Sequence, residues 1–372
     1  MKFAIITHVV HKFQDGGILA YAPYVREMNI WGRHVDQVVL ASPREKNGEK
    51  RAIDISYENK DIRYLKLYPF NFVTILSALR ALVVMPINMI IIFMAMQKAD
   101  HIHLRCPGNV GLLGCLVQIL FPGKPKTAKY AGNWDPKSKQ PLSYRLQKKI
   151  LSNTFLTKKM SVLVYGEWEN QSPNIKPFFT ATYASEKLGT SVNRSWDSPT
   201  NFMFVGSLSK GKRPVYALQL IEELRNQNIP ATIKFYGDGV ERDTLEAYIA
   251  AHNLGTCASV LGNQESHIVE QAYKESDFLI LPSKSEGWPK VVAEAMFWGC
   301  IPVVTKISCV PWMLDKGRRG VLIDHDLTSD VSKLQKLMGD QQRLKTISDE
   351  AVLWSRTYTL DYFEKEIKKL LA

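Results

Sequence analysis

Two α/β halves, each a parallel sheet with helices on both faces, are the fold class this sequence predicts. Three observations predict it. Short apolar runs alternate with segments of helical period along the whole chain, the pattern of strand–helix–strand units. The alternation restarts at residue 201, after a stretch at 185–200 that loses periodicity and reads as a linker. The second half then opens as the first does, with a strand, a glycine-containing loop and a helix. At 372 residues the chain also exceeds what one hydrophobic core usually serves.

The composition is globular, 45% hydrophobic and 23% charged. Cys106, Cys115, Cys257, Cys300 and Cys309 are odd in number and scattered, which argues against a disulfide framework and structural zinc. Lys2–Ile6 is too short an apolar run for a signal peptide, so the reading is a first strand in a cytoplasmic protein. The net charge of +12 is uneven: residues 1–195 hold 27 Lys+Arg against 13 Asp+Glu, the remainder 21 against 23. A basic first half is a statement about partners. No nucleic-acid-binding motif accompanies it. An anionic membrane surface or a phosphate-bearing lipid acceptor is the partner left, with the protein peripheral on the inner face of the membrane.

In chain order, the strand at 2–7 leads to a loop ending in Gly16-Gly17, where backbone can approach a ligand closely. A helix is expected from Ile18 to Trp31, then a strand over 35–40. Residues 43–60 read as a surface excursion before the strand Ile62–Leu67. Residues 67–97 carry one charge, Arg80. With Pro86 and Asn88 inside it and Lys98-Ala99-Asp100 closing it, this stretch is expected to be a buried core helix. The basic charge keeps an interfacial helix open, and the uncharged run at 81–97 is close to the minimum length for a membrane span. His101 and His103 share one side of the next strand, as ordinary buried histidines rather than a metal pair. Strands near 127–131 and 161–165 flank a basic helix through Arg145, Lys148 and Lys149. In the second half, strands fall at 201–206, 231–236, 258–261, 277–282, 301–305 and 321–323. A last helical segment spans roughly 342–371, with Trp354, Tyr358, Tyr362, Phe363, Ile367 and Leu370 as its apolar stripe.

The densest chemistry is at Ser283–Met296. A buried strand closes on Pro282, a loop follows, and Val291, Val292, Ala295 and Met296 recur at helical spacing. The helix start presents unpaired N–H groups and the positive dipole end, a seat for phosphate. Glu286 and Glu294 bracket it and can accept hydrogen bonds from sugar hydroxyls.

From residue 201 to about 325 the chain resembles the retaining glycosyltransferases of family 4. The residues that carry this are Phe204-Val205-Gly206-Ser207-Leu208 with Lys212, Tyr236-Gly237-Asp238-Gly239, and Val260-Leu261-Gly262-Asn263. Asp277–Ser283, Glu286-Gly287-Trp288-Pro289, Glu294-Ala295-Met296 and Gly299-Cys300-Ile301-Pro302-Val303-Val304-Thr305 complete the set. The first half resembles that family only loosely, through Gly16-Gly17, Gly32-Arg33-His34-Val35 and Asp100-His101.

The resemblance implies a GT-B fold, two Rossmann-like domains facing each other across a cleft. The expected division is an acceptor-binding domain at 1–190, a nucleotide-sugar domain at 191–355, and a C-terminal helix at 356–372 packing back on the first. It implies a hexosyltransferase-like enzyme of cell-surface polysaccharide synthesis. The donor would be a UDP- or GDP-sugar, the acceptor a glycan or lipid-linked sugar, with no cofactor and no metal. Transferred by position, Glu286 holds a donor-sugar hydroxyl and Lys212 neutralises the leaving diphosphate. Glu294 takes the ribose, and backbone amides near Lys290 and Val291 take the phosphates. Gly206, Ser207, Lys210, Arg213, Gly237, Gly287, Trp288 and Pro289 complete the donor side.

The departures are specific. Ser207 stands where many members carry an arginine, so Lys210 or Arg213 has to supply that charge. The usual histidine of the first half is absent, leaving His103 or Asn133, with Gly16 and Gly17, as cleft residues on the acceptor side. Ser308-Cys309-Val310-Pro311-Trp312 lacks the family's Gly-Val-Pro-Glu form. A non-catalytic nucleotide-sugar-binding subunit and a sugar-nucleotide epimerase are the alternative functions.

Overall fold

The computed structural model describes every residue except 15, 46–52, 73, 191, 193 and 199. The chain divides into two compact units, Met1–Phe178 with Phe363–Ala372, and Phe179–Tyr362. The division falls at Phe178–Phe179 rather than at residue 190, and the return to the first unit starts at Phe363 rather than at residue 356.

The first unit runs β1 (Lys2–Ile6), β2 (Lys12–Gln14), β3 (Gly17–Tyr21), α1 (Ala22–Gly32), β4 (Gln37–Pro43), β5 (Asp54–Ser56) and β6 (Ile62–Leu67). It continues through α2 (Ile75–Lys98), β7 (His101–Cys106), α3 (Asn109–Val117), β8 (Lys126–Tyr130), α4 (Leu142–Leu151), β9 (Met160–Tyr165) and β10 (Ile175–Phe178). Seven parallel strands lie in the order β10-β9-β8-β7-β1-β4-β6. Phe3–Ile6 are all buried, as a strand covered on both faces requires. Successive strands leave β1 in one direction and, after β6, in the other, so β1 and β7 flank the topological switch point.

Four expectations in this unit change. Residues 18–21 are strand, not helix: Gly17–Gln14 and Leu19–Lys12 pair antiparallel, and β3 pairs β5 on its other edge. Pro23 at the helix start marks where α1 begins. Gly16, at φ 73°, is a turn residue of the β2–β3 hairpin, and Gly17 is the first residue of β3. The excursion at 43–60 contains β5 and a buried Tyr57, while its residues 46–52 lie outside the described residues. The helix expected at 67–97 forms as α2, opened by a capping box between Thr74 and Ser77. It is not a core helix over most of its length: Ala81, Asn88, Ile92, Ala95 and Met96 are its buried residues.

The second unit contains β11 (Asn201–Val205), α5 (Pro214–Asn226), β12 (Thr232–Tyr236), α6 (Arg242–Ala251), β13 (Ala258–Gly262), α7 (Ser266–Glu275) and β14 (Phe278–Leu281). After these come α8 (Lys290–Phe297), β15 (Ile301–Thr305), α9 (Val310–Met313), β16 (Val321–Ile323), α10 (Leu327–Met338) and α11 (Gln341–Ser355). Its six strands are parallel, in the order β13-β12-β11-β14-β15-β16. The helical segment expected at 342–371 is two helices: α11 stops at Ser355, and α12 (Leu360–Leu371) begins in the second unit and continues into the first.

Nor is 185–200 a free linker, although its residues 191, 193 and 199 lie outside the described residues. The buried Arg194 guanidinium donates to the carbonyls of Tyr273 (3.0 Å), Lys274 (3.2 Å) and Trp298 (3.3 Å). Asp277 then accepts the N–H groups of Thr200 and Asn201, both at 3.0 Å. The stretch lost its period because it is held by polar contacts to helix ends, not by an apolar face.

Candidate active site

In the second sheet β11 and β14 are neighbours from which the strand order runs outward in opposite directions, β12 and β13 to one side, β15 and β16 to the other. Ligands of open α/β sheets bind outside the carboxyl ends of the strands at such a point. Two loops leave there, 206–213 after β11 and 282–289 after β14. They are tied by the Lys284 N–H, which donates to the Gly211 carbonyl at 2.8 Å.

Across that junction Lys212 Nζ lies 2.5 Å from Glu286 Oε1. Seventy-four positions separate the two in the chain, and strand order alone makes them neighbours. The Glu286 backbone N–H faces Ser308 Oγ at 3.4 Å, and the Cys309 thiol donates to the Gly287 carbonyl at 3.0 Å. Burial pushes the Cys309 thiol up to about 12, so it stays protonated and able to donate. The Ser308-Cys309 stretch, which departs from the family form, is thus the brace of the Glu286 loop.

Glu294 sits in the second turn of α8, with Pro289 as the residue capping the helix start and Lys290 and Val291 opening its first turn. One carboxylate oxygen accepts from Thr182 Oγ1 (2.7 Å), the other from Tyr273 OH (3.0 Å). Each oxygen has a second lone pair, so ribose hydroxyls can still be accepted. Thr182 and Tyr273 carry no sequence signal for this; Tyr273 meets Glu294 only because α7 and α8 pack together.

On the first loop Ser207 and Lys210 are exposed, and Arg213 precedes α5 in a left-handed conformation (φ 53°). Burial, then the nearby Arg213 charge, lowers the His325 pKa, so this ring is neutral near pH 7. His325 shares a hydrogen bond with Thr305 Oγ1 at 3.0 Å. The buried Asp330 orders that corner, accepting from the N–H groups of Asp324 (3.1 Å) and His325 (3.0 Å) and from Tyr216 OH (2.7 Å). Thr305 closes a stretch that carries the resemblance, but neither His325 nor Asp330 stood out in the sequence.

Several predicted site residues have other roles. Gly237 (φ 143°) is where the β12 loop crosses the β11 loop: a Cβ there would overlap the Gly206 carbonyl. Its neighbours lock the crossing, Gly206 N–H to Tyr236 O and Leu208 N–H to Asp238 O, both 2.9 Å. Trp288 is buried in an aromatic cluster with Trp312, Trp354 and Tyr358 that braces the loop, and it lines the same small cavity as Lys290 and Glu294. His103 is a core residue, not a cleft residue. It is fully buried, stacked against Phe3 and Trp31, with Nδ1 2.8 Å from Thr127 Oγ1. Asn133 is spent on a turn, accepting the Asp135 N–H at 2.9 Å. Gly16 and Gly17 belong to the hairpin already described. At the first sheet's switch point the structure instead brings His8 against Gly108, where a Cβ would meet the imidazole Nδ1 at 3.1 Å. Among the described residues no three His, Cys, Asp or Glu side chains converge on one point as metal ligands would.

Residues 192–354 match the family model described as glycosyl transferases group 1. This region is similar to group 1 glycosyltransferases. It contains Lys212, Glu286 and Glu294, and the Ser308-Cys309 brace. The sulfoquinovosyl transferase SQD2 of Arabidopsis thaliana is 29% identical over 177 residues, 46% of this chain and 33% of that protein. The chain therefore spans well under half the length of that relative. Among solved structures, HepE of Anabaena in complex with UDP and glucose has a TM-score of 0.67 at 14% identity, covering 100% of this chain and 99% of that one. The lipopolysaccharide outer core galactosyltransferase WaaB, in its apo form, has a TM-score of 0.69 at 17% identity, with 100% and 99% covered. Both likenesses extend over the two units, and the fold is GT-B, with the group 1 match falling in its second Rossmann-like unit.

Proposed function

We propose that the protein is a glycosyltransferase that moves a sugar from a nucleotide-sugar donor to a glycan or lipid-linked acceptor, with retention of anomeric configuration. The observation that carries this is the Lys212–Glu286 pair at the switch point of the second sheet, beside the first turn of α8. The diphosphate lies between Lys212 and the N-terminal end of α8, where the helix dipole favours negative charge. Glu286 accepts a hydroxyl of the donor sugar, and Glu294 accepts the ribose hydroxyls.

The bond from the anomeric carbon to the donor phosphate oxygen breaks while the acceptor oxygen bonds to the same carbon from the same face. The acceptor proton passes to the departing phosphate oxygen. Lys212 meets the charge that grows there, so this scheme needs no metal. The group 1 match, the polysaccharide-related names of relatives such as the colanic acid glycosyltransferase WcaL of Salmonella typhimurium, and the UDP-bound HepE support a UDP- or GDP-sugar donor and a role in polysaccharide synthesis.

Purified protein given UDP-, GDP- and ADP-sugars is expected to hydrolyse one of them slowly without acceptor. Lys212→Ala is expected to reduce that rate about a hundredfold, the usual worth of one such charge in the transition state. An unchanged rate would sink the assignment. The exposed Ser207, where a second cation is missing, favours a second reading, a nucleotide-sugar-binding subunit. Calorimetric binding of a nucleotide-sugar with no turnover over a broad acceptor panel would select it.

A further inference from the structure

Helices α2, α3 and α4 cover one face of the first unit's sheet, α2 against α3 and α3 against α4. Helices that connect parallel strands run opposite to them, so the N-terminal ends of these three lie at the carboxyl edge of the sheet. The C-terminal third of α2 is anchored. Ile92, Ala95 and Met96 are in the core, and the Lys124 ammonium caps the helix on the carbonyls of Met96 (2.8 Å), Gln97 (2.8 Å) and Ala99 (2.6 Å). Asn88 is locked to Tyr68, accepting its N–H at 2.9 Å and donating to its carbonyl at 2.8 Å.

Further towards its N-terminus α2 keeps Ala81 buried and Met85 and Met89 against the core, while its other face is turned outward and is apolar. Ile75 is 84% exposed and Leu82 66%, with Leu79, Val83, Ile87 and Ile90 exposed on the same face. A helix face turned to water normally carries charges; this one carries Arg80 alone. On α4, Leu142 and Leu146 are exposed one turn apart beside exposed Arg145 and Lys149. From Leu67 to Gly166 the chain holds thirteen lysines and arginines, and its only acidic residues there are Asp100 and Asp135.

We propose that this helix layer docks on the surface of an anionic lipid bilayer, the α2 stripe entering the headgroup region and the α4 basic residues meeting lipid phosphates. Charge decides the occupant. A second copy would set one basic face against another, whereas an anionic leaflet offers apolar depth beneath negative charge. The anchored residues of α2 keep it in the interface plane rather than across the membrane. Docking at that end of the layer brings the carboxyl edge of the first sheet to the headgroups, where a lipid-linked acceptor would be presented.

The test is flotation of the full chain with vesicles of phosphatidylcholine alone and of phosphatidylcholine with phosphatidylglycerol. The protein is expected to float with the anionic vesicles and less with the neutral ones, and added salt is expected to reduce this. The double variant Leu79→Glu/Leu82→Glu, at exposed positions, and Arg145→Glu/Lys149→Glu are each expected to weaken anionic-vesicle binding about tenfold. Unchanged thermal melting of both variants shows that they fold. Absence of flotation, equal binding to both vesicles, or unchanged binding by the first variant would overturn the proposal. So would a dimer in light scattering that Leu79→Glu/Leu82→Glu dissolves. Nucleotide-sugar hydrolysis without vesicles is expected to survive in both variants. A protein that floats but hydrolyses no nucleotide-sugar keeps this proposal and loses the transferase reading.

Discussion

At the scale of single residues, Lys212 and Glu286 satisfy each other at 2.5 Å, with the glutamate side chain only 9% exposed. A diphosphate arriving at the lysine competes with that carboxylate, and a sugar hydroxyl arriving at the carboxylate competes with the lysine. A complete donor offers both ends a new partner, whereas a bare nucleoside diphosphate offers only one. Glu286→Gln is therefore expected to bind UDP or GDP more tightly than the parent, by about fivefold for ~1 kcal/mol of competition removed, while turnover of the nucleotide-sugar falls. Calorimetry on the parent and E286Q measures this, and equal or weaker nucleotide binding by E286Q would show that the pair does not oppose the diphosphate. Lys212 and Glu286 were each legible in the sequence through the motifs around them. The ion pair itself was not, because only the adjacency of β11 and β14 brings the two together.

Among the elements, the crossing of the β11 and β12 loops sets the backbone path at the proposed phosphate end of the site. Gly237→Ala puts a methyl group into the Gly206 carbonyl and holds alanine at a φ it seldom adopts. A cost of roughly 2–4 kcal/mol is expected, together with loss of nucleotide binding as the Gly206–Leu208 backbone moves. Gly255→Ala, with open space around it, is the control and is expected to change stability little. Urea unfolding with and without UDP reads both effects, and equal curves for the two variants would show that the crossing is soft. A glycine in a Tyr-Gly-Asp-Gly run reads as a ligand-binding turn in sequence; its close approach to another loop is visible only in the fold. Residues 17–21 are ambiguous for a related reason, since Ile18-Leu19-Ala20 fits either period and it is pairing with β2 and β5 that makes it strand.

Over the whole molecule, the alternation of strands and helices and the restart at residue 201 were readable because parallel strands buried on both faces are continuous apolar runs. Burial of α2 was not readable, since lipid and protein core select the same composition. His11, His101 and His103 are buried in the first unit. Burial lowers the pKa of His11 and of His101 to about 4, and that of His103 well below the ordinary value. The unfolded chain takes up these protons near pH 6.5 and the folded chain does not until much lower pH. Stability is therefore full above about pH 6.5 and is lost as pH falls towards 4, by at most ~1.4 kcal/mol per pH unit for each histidine. Calorimetric melting between pH 7 and 5 should show this slope, and His101→Gln should flatten it; parallel slopes would exclude His101 as a contributor.

The Lys129 ammonium is buried against the rings of Tyr165 (5.2 Å), Phe178 (5.0 Å) and Phe363 (5.1 Å), and Phe363 also packs on Phe178 with centroids 5.4 Å apart. One wall of that cage is encoded almost two hundred residues after the others. During synthesis the first unit must wait, its cationic core side open, until the whole of the second has been translated. A vectorially emerging chain thus finishes its second unit's sheet before its first unit is closed, the reverse of the order in which the two begin.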